Sequence, residues 1–146
     1  TGEMLREAFG VPLPPRGGGT RRIFVARKNA RTRRIANEAQ IEQVLTPLGF
    51  EFHCLEQYSQ AKQIQLFGEA AMIVGGHGAG LTNMIFSQTG TRVVEIAPSN
   101  YLRKCYAVLS QELGHSHRLV EARRSRRSRN LHVQCDALTA AVTGEW

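Results

Sequence analysis

The sequence has three cysteines, one aspartate, 7% aromatic residues and no long apolar run, and each shortage argues against something. Cys54, Cys105 and Cys135 are odd in number, lie far apart, and form neither a CxxC pair nor a cysteine and histidine cluster of zinc spacing. This speaks against a disulfide framework and a zinc ribbon. Core or half-buried thiols in a reducing compartment are expected instead, and with them a cytoplasmic setting. Asp136 is the sole aspartate, so no DxD-type carboxylate pair exists to hold a divalent metal. No window approaches the roughly 18 consecutive apolar residues of a membrane span, and the first residues lack a signal peptide's apolar core, so the chain reads as soluble.

What is there is ordinary for a globular domain. Hydrophobic residues make up 42% and charged residues 21% of 146 positions, enough length for one core without staples. Because the chain opens on Thr1 rather than Met, a piece of a longer polypeptide is expected.

The formal charge is +7, and two segments hold 13 of the 19 basic residues. The first is Arg21, Arg22, Arg27, Lys28, Arg31, Arg33 and Arg34; the second is Arg118, Arg123, Arg124, Arg126, Arg127 and Arg129. An anionic partner is the natural inference. Neither cluster interleaves aromatics as a base-stacking surface does, so phosphate on a small molecule is expected in preference to nucleic acid. For RRSRRSRN two readings stay open, a solvated arginine loop between two elements and a patch for nucleic acid or an anionic membrane.

Residues 1–20 carry Pro12, Pro14 and Pro15 and then Gly17, Gly18 and Gly19, which neither continue a helix nor pair inside a sheet. They read as a linker or lead-in, with residues 21–146 as one Rossmann-like domain. Strands are predicted at 23–26, 50–55, 71–74, 92–96 and 118–121. Between them, Ile41, Val44, Leu45 and Leu48 fall at helical spacing after Asn37 and before Gly49. Ser59 caps a second helix with Ala61, Ile64 and Phe67 on one stripe. Ser99 or Asn100 caps a third with Leu102, Cys105, Tyr106, Leu109 and Leu113, and a last short helix is predicted over 136–142. Strands alternating with helices of about ten residues make βαβ units, hence an α/β, doubly wound, mostly parallel sheet. Ligands of such sheets sit outside the carboxyl ends of the strands.

The sharpest motif lies at one of those ends, in AMIVGGHGAGLTNMIF over residues 71–86. Gly75, Gly76, His77, Gly78, Ala79 and Gly80 read as a strand-to-helix turn whose backbone N–H groups approach a phosphate, with Leu81, Met84, Ile85 and Phe86 opening the helix. Leu81 stands where an NTPase P-loop needs lysine, which rejects that motif. The dinucleotide fingerprint puts Leu81 or Asn83 where its last glycine belongs and is disfavoured. His77, Thr82 and Asn83 supply polar groups that packing alone does not require. After the first strand, Arg27, Arg33, Arg34, Asn37 and Glu38 cross the loop into the next helix, where arginine forks suit a diphosphate. Glu95 is an acidic residue inside the fourth strand, to be read either as a holder of ribose or sugar hydroxyls or as a structural partner of an arginine.

Arg27, Arg33-x-x-x-Asn37-Glu38, the LGFE turn at 48–51, the Gln63 to Phe67 helix, GGHGAGLTN at 75–83 and Glu95 together resemble the family 61 glycosyltransferases over about residues 21–115. The resemblance implies one half of a GT-B enzyme, its C-terminal donor domain, with inverting chemistry, a nucleotide-sugar donor and a glycan or capsular-polysaccharide acceptor. It implies donor-site roles for Arg27, Arg33, His77, Gly78, Gly80, Thr82 and Asn83, with Glu95 beside them, and an acceptor domain absent from this chain. Metal-independent catalysis without a cofactor is expected, with His77 donating to a phosphate or a sugar hydroxyl, or else satisfied inside its turn. The rival is a non-catalytic nucleic-acid or anion-binding module using the arginine clusters.

Overall fold

The computed structural model describes residue 4 and residues 7–10, 18–28, 34–100 and 103–146. Arg31, Arg33, Leu102 and the prolines of the lead-in lie outside them. The elements are β1 (Arg21–Ala26), α1 (Glu38–Leu45), β2 (Phe50–Cys54), α2 (Gln60–Gly68), β3 (Ala70–Gly76), a 3-10 run (Ala79–Phe86), β4 (Arg92–Pro98), α3 (Cys105–Glu112), β5 (Ser116–Arg124), β6 (Leu131–Val133) and α4 (Cys135–Thr143). They form one sheet of six strands in the order β2-β1-β3-β4-β5-β6, parallel except for β6, which returns antiparallel to β5.

Alternation along each strand sends side chains to two cores, because successive residues face opposite sides of a sheet. Ile23 and Val25 of β1 pack under α2 and the 3-10 run, with Ile64, Phe67, Leu81 and Met84. Phe24 and Ala26 pack under α1 and α4, with Ile41, Leu45, Leu138 and Val142. Both faces are therefore covered, as expected for a Rossmann-like sheet, and the strands read as near-continuous apolar runs for that reason. Each fully buried Leu, Ile or Phe side chain stabilises the fold by roughly 1.5–3 kcal/mol. Phe24 also stacks on Phe52, ring centres 4.6 Å apart.

The local signals act as their chemistry dictates in α1 and α2. A 3-10 turn (Thr46–Leu48) follows the first, and Gly49 ends it with φ 82, the left-handed region that glycine enters without strain. Ser59 accepts the Lys62 N–H at the start of the second. Three expectations need correction. The segment after the glycine-rich turn winds as a 3-10 run instead of an α-helix; its tighter turn stacks Leu81 and Met84, three residues apart and both fully buried, on one face. Helix α3 starts at Cys105 with no side-chain cap, and Ser99 and Asn100 form a turn upstream of it. Strand β6, three residues long, was not anticipated, since a run that short carries no periodicity.

Among the described residues, no helix is long and apolar enough to cross a membrane.

Candidate functional site

Helix α1 covers one face of the sheet, whereas α2, the 3-10 run and α3 cover the other. The chain reverses direction about β1, which lies between β2 and β3. In an open parallel sheet this reversal leaves a crevice beyond the carboxyl ends of the two strands flanking it, here β1 and β3. Arg27 follows β1 directly, and His77, Gly78, Ala79 and Gly80 follow β3.

These two ends are tied together. Arg27 Nη1 donates to the His77 carbonyl at 2.7 Å. The glycines make the room: a Cβ on Gly78 would stand 2.3 Å from Arg27 Nη1, and one on Gly76 would stand 3.4 Å from Arg27 Cδ. Gly80 lets the 3-10 run press on β1, since a Cβ there would meet Val25 Cγ1 at 3.0 Å. The first bond of that run joins the Leu81 N–H to the Gly78 carbonyl, so the Ala79 and Gly80 N–H groups precede any bond within the run. A cation and main-chain donors thus share one edge, an arrangement suited to an anion.

Behind the loop lies a buried polar core. Glu95, 3% exposed, accepts from His77 Nδ1 with one carboxylate oxygen and from His117 Nε2, at 2.9 Å, with the other. Among the described residues its partners are two imidazoles, and no arginine. Burial pushes the Glu95 carboxyl up, but the hydrogen bonds from His117 and His77 and the charges of those rings outweigh it and hold the group below its ordinary range. An ionised carboxylate only accepts, so it fixes a proton on Nδ1 of His77 and orients that ring. Tyr106 packs edge-on against His77, ring centres 4.8 Å apart, and its hydroxyl donates to the Gly78 carbonyl.

The other residues singled out in the sequence divide into two groups. Glu38 stays at the edge: it is buried, and its Oε2 accepts the Arg27 N–H at 3.4 Å. Burial pushes its carboxyl up, against the opposing pull of that N–H and the Lys28 charge. Asn37 is drawn elsewhere, donating to the Val133 carbonyl at 2.8 Å and accepting the Val133 N–H at 3.0 Å. Arg34 is exposed, and its carbonyl accepts the Leu131 N–H at 2.7 Å. Thr82 lies 3.4 Å from the Tyr106 hydroxyl, Asn83 donates to Gln63 Oε1 at 2.8 Å, and Leu81 is core. Arg33 lies outside the described residues. Sequence reasoning missed Tyr106 as a polar group and His117 altogether. Strand alternation was the available signal for the latter: His117 pairs with Val93, two residues before Glu95 and hence on its face.

Residues 3–94 match the family described as Glycosyltransferase 61. A stretch of 49 residues, 34% of this chain, is 39% identical to a beta-1,2-xylosyltransferase of Oryza sativa subsp. japonica, and it spans 9% of that protein's length. The family match begins earlier than the resemblance drawn from the motifs and stops one residue short of Glu95, taking in Arg27, the glycine-rich turn and the crevice between them. Covering well over half of the chain, it shows that this protein belongs to glycosyltransferase family 61.

Proposed function

We propose that this chain carries the donor site of a glycosyltransferase, binding a nucleotide sugar at the β1 and β3 edge as one half of a GT-B enzyme. One observation supports this above the rest: Arg27 at the end of β1 is bonded to the His77 carbonyl at the end of β3, so a fixed guanidinium and the glycine-rich turn flank the crevice that a doubly wound sheet offers to a ligand. As the bond from the anomeric carbon to the diphosphate breaks, negative charge collects on the leaving group, and a preplaced guanidinium with helix N–H groups stabilises it. The displacement is proposed to proceed with inversion and without a metal. His77, oriented by Glu95, faces the same loop and is proposed to donate to a phosphate or a sugar hydroxyl. The acceptor, a glycan or polysaccharide in a cytoplasmic setting, is proposed to be presented by a further domain outside this chain.

The test is calorimetric titration of the full-length protein with UDP, GDP and CDP sugars, with and without chelator. Saturable binding of one nucleotide, indifferent to chelator and weakened at least tenfold in Arg27→Ala, is expected. Donor affinity unchanged in both Arg27→Ala and His77→Ala would sink the assignment.

A further inference from the structure

The arginines from 123 to 129 lie at the same edge of the sheet as the crevice. Strand β5 is parallel to β4 and outlasts it: the last pair joins Pro98 to Ala122, while β5 continues to Arg124 and turns back at Leu131. The turn therefore stands beyond the carboxyl edge. Its root is fixed. Leu131 is buried, its N–H bonds the Arg34 carbonyl and its carbonyl accepts the Ala36 N–H, both at 2.7 Å, and Asn37 grips Val133. The two basic segments, some ninety residues apart in sequence, are thus stitched side by side by the Ile35 and Leu131 bridge.

The tip is closed by Ser125 N–H to the Asn130 carbonyl at 2.9 Å and Ser128 N–H to Ser125 Oγ at 3.2 Å. All residues from Arg123 to Arg129 are exposed, and those from Arg124 to Arg129 line a shallow open hollow. Between Ala122 and Cys135 there is no acidic residue, and no ion pair among the described residues includes Arg123, Arg124, Arg126, Arg127 or Arg129. A merely solvated face mixes both signs of charge. This one carries a single sign, and its guanidinium forks match phosphate oxygens.

We propose that this hairpin docks the carboxyl edge of the sheet onto a membrane containing anionic phospholipid, a headgroup phosphate sitting in the hollow of its tip. The composition disfavours a surface built to stack bases or sugars, since the sequence has no phenylalanine, tyrosine or tryptophan between Tyr106 and Trp146. A nucleic-acid duplex is read by helices or by two-stranded ribbons long enough to follow a groove, whereas here only three residue pairs precede the turn. A compact protruding turn fits a plane of headgroups better. Docking there turns the crevice, at the same edge, toward the membrane.

Vesicle flotation of the full-length protein tests this, using phosphatidylcholine with and without phosphatidylserine. Binding to the phosphatidylserine vesicles alone, weakening as salt rises, is expected. The triple variant Arg126→Ser, Arg127→Ser, Arg129→Ser should bind about a hundredfold more weakly, each arginine near an anionic surface contributing roughly fivefold. Lysine at the three positions should restore most of the binding. No binding to phosphatidylserine vesicles, equal binding by the serine variant, or displacement by a duplex oligonucleotide at matched phosphate concentration would overturn the proposal. Nucleotide-sugar affinity, measured on the same samples, should not change in the serine variant, which separates this surface from the donor site.

Discussion

The Arg27 guanidinium reaches from the end of β1 to the main-chain carbonyl of His77 beyond β3, crossing the crevice at 2.7 Å and resting where Gly76 and Gly78 leave no Cβ. A glycine pattern that suggests a bare phosphate cradle is thus partly a seat for a cation.

Gly78→Ala tests that seat. Gly78 has extended backbone, φ 162, so alanine adds no strain there, and its Cβ collides only with the far end of a flexible side chain. The guanidinium must swing aside and give up the His77 carbonyl. Stability should fall by no more than about 1 kcal/mol, the worth of one ordinary hydrogen bond. Nucleotide-sugar affinity should fall about tenfold or more, the loss of one charge-assisted contact. Thermal unfolding and calorimetry on one preparation read both. A large loss of melting temperature with donor binding intact would make Gly78 a packing residue only.

The pH dependence of stability follows from Glu95. Its folded value lies below the ordinary 4.5, so the stabilisation is fully present above that value and is lost as pH falls through the depressed one. Acid melting should therefore steepen below pH 4.5. Glu95→Gln removes the charged acceptor of both ring hydrogen bonds and should cost about 3 kcal/mol at neutral pH, about 1.5 kcal/mol for each. Its acid limb should be shallower than that of the unsubstituted protein. Parallel pH profiles for the two would refute the account.

How much of this was readable in the chain depends on the distance over which each signal acts. Strand and helix order, the Ser59 cap and the Gly49 stop are local, and alternation or a single turn residue dictates them. The 3-10 winding after Gly78 is set by what packs on Leu81 and Met84, which periodicity does not weigh. His117 and Tyr106 join the site through register and helix placement, links of 22 and 28 residues to Glu95 and Gly78. The polar partners of Asn37, at the start of a helix, gave no local sign of lying 96 residues downstream on a strand.

Asn37→Ala should separate structure from binding. The amide satisfies both main-chain groups of buried Val133, and truncation strands an N–H and a carbonyl together. Leaving two buried groups unpaired costs about 3 kcal/mol. Because the amide is committed to Val133, donor affinity below the melting transition should stay within twofold. A variant with unchanged stability and lost donor binding would return Asn37 to the ligand.

Glu38→Gln should do the opposite to stability. The carboxyl is 9% exposed, its Oε1 has no hydrogen-bond partner among the described residues, and burial raises its folded value above the ordinary 4.5. For a raised acid the sign reverses: the Glu38 contribution is fully present below pH 4.5 and is lost as pH climbs through the folded value, because the buried group must then carry charge. A neutral amide keeps an oxygen for the Arg27 N–H without the cost of a buried charge. Melting temperature at neutral pH should rise by about 3 °C, the equivalent of about 1 kcal/mol in a chain this size. Nucleotide-sugar affinity is expected to fall in the same variant, since the orphaned oxygen belongs to the carboxyl that holds the Arg27 N–H, the trade of stability for function that binding sites make. An unchanged melting temperature would remove the burial argument, and an unchanged affinity would remove Glu38 from the site.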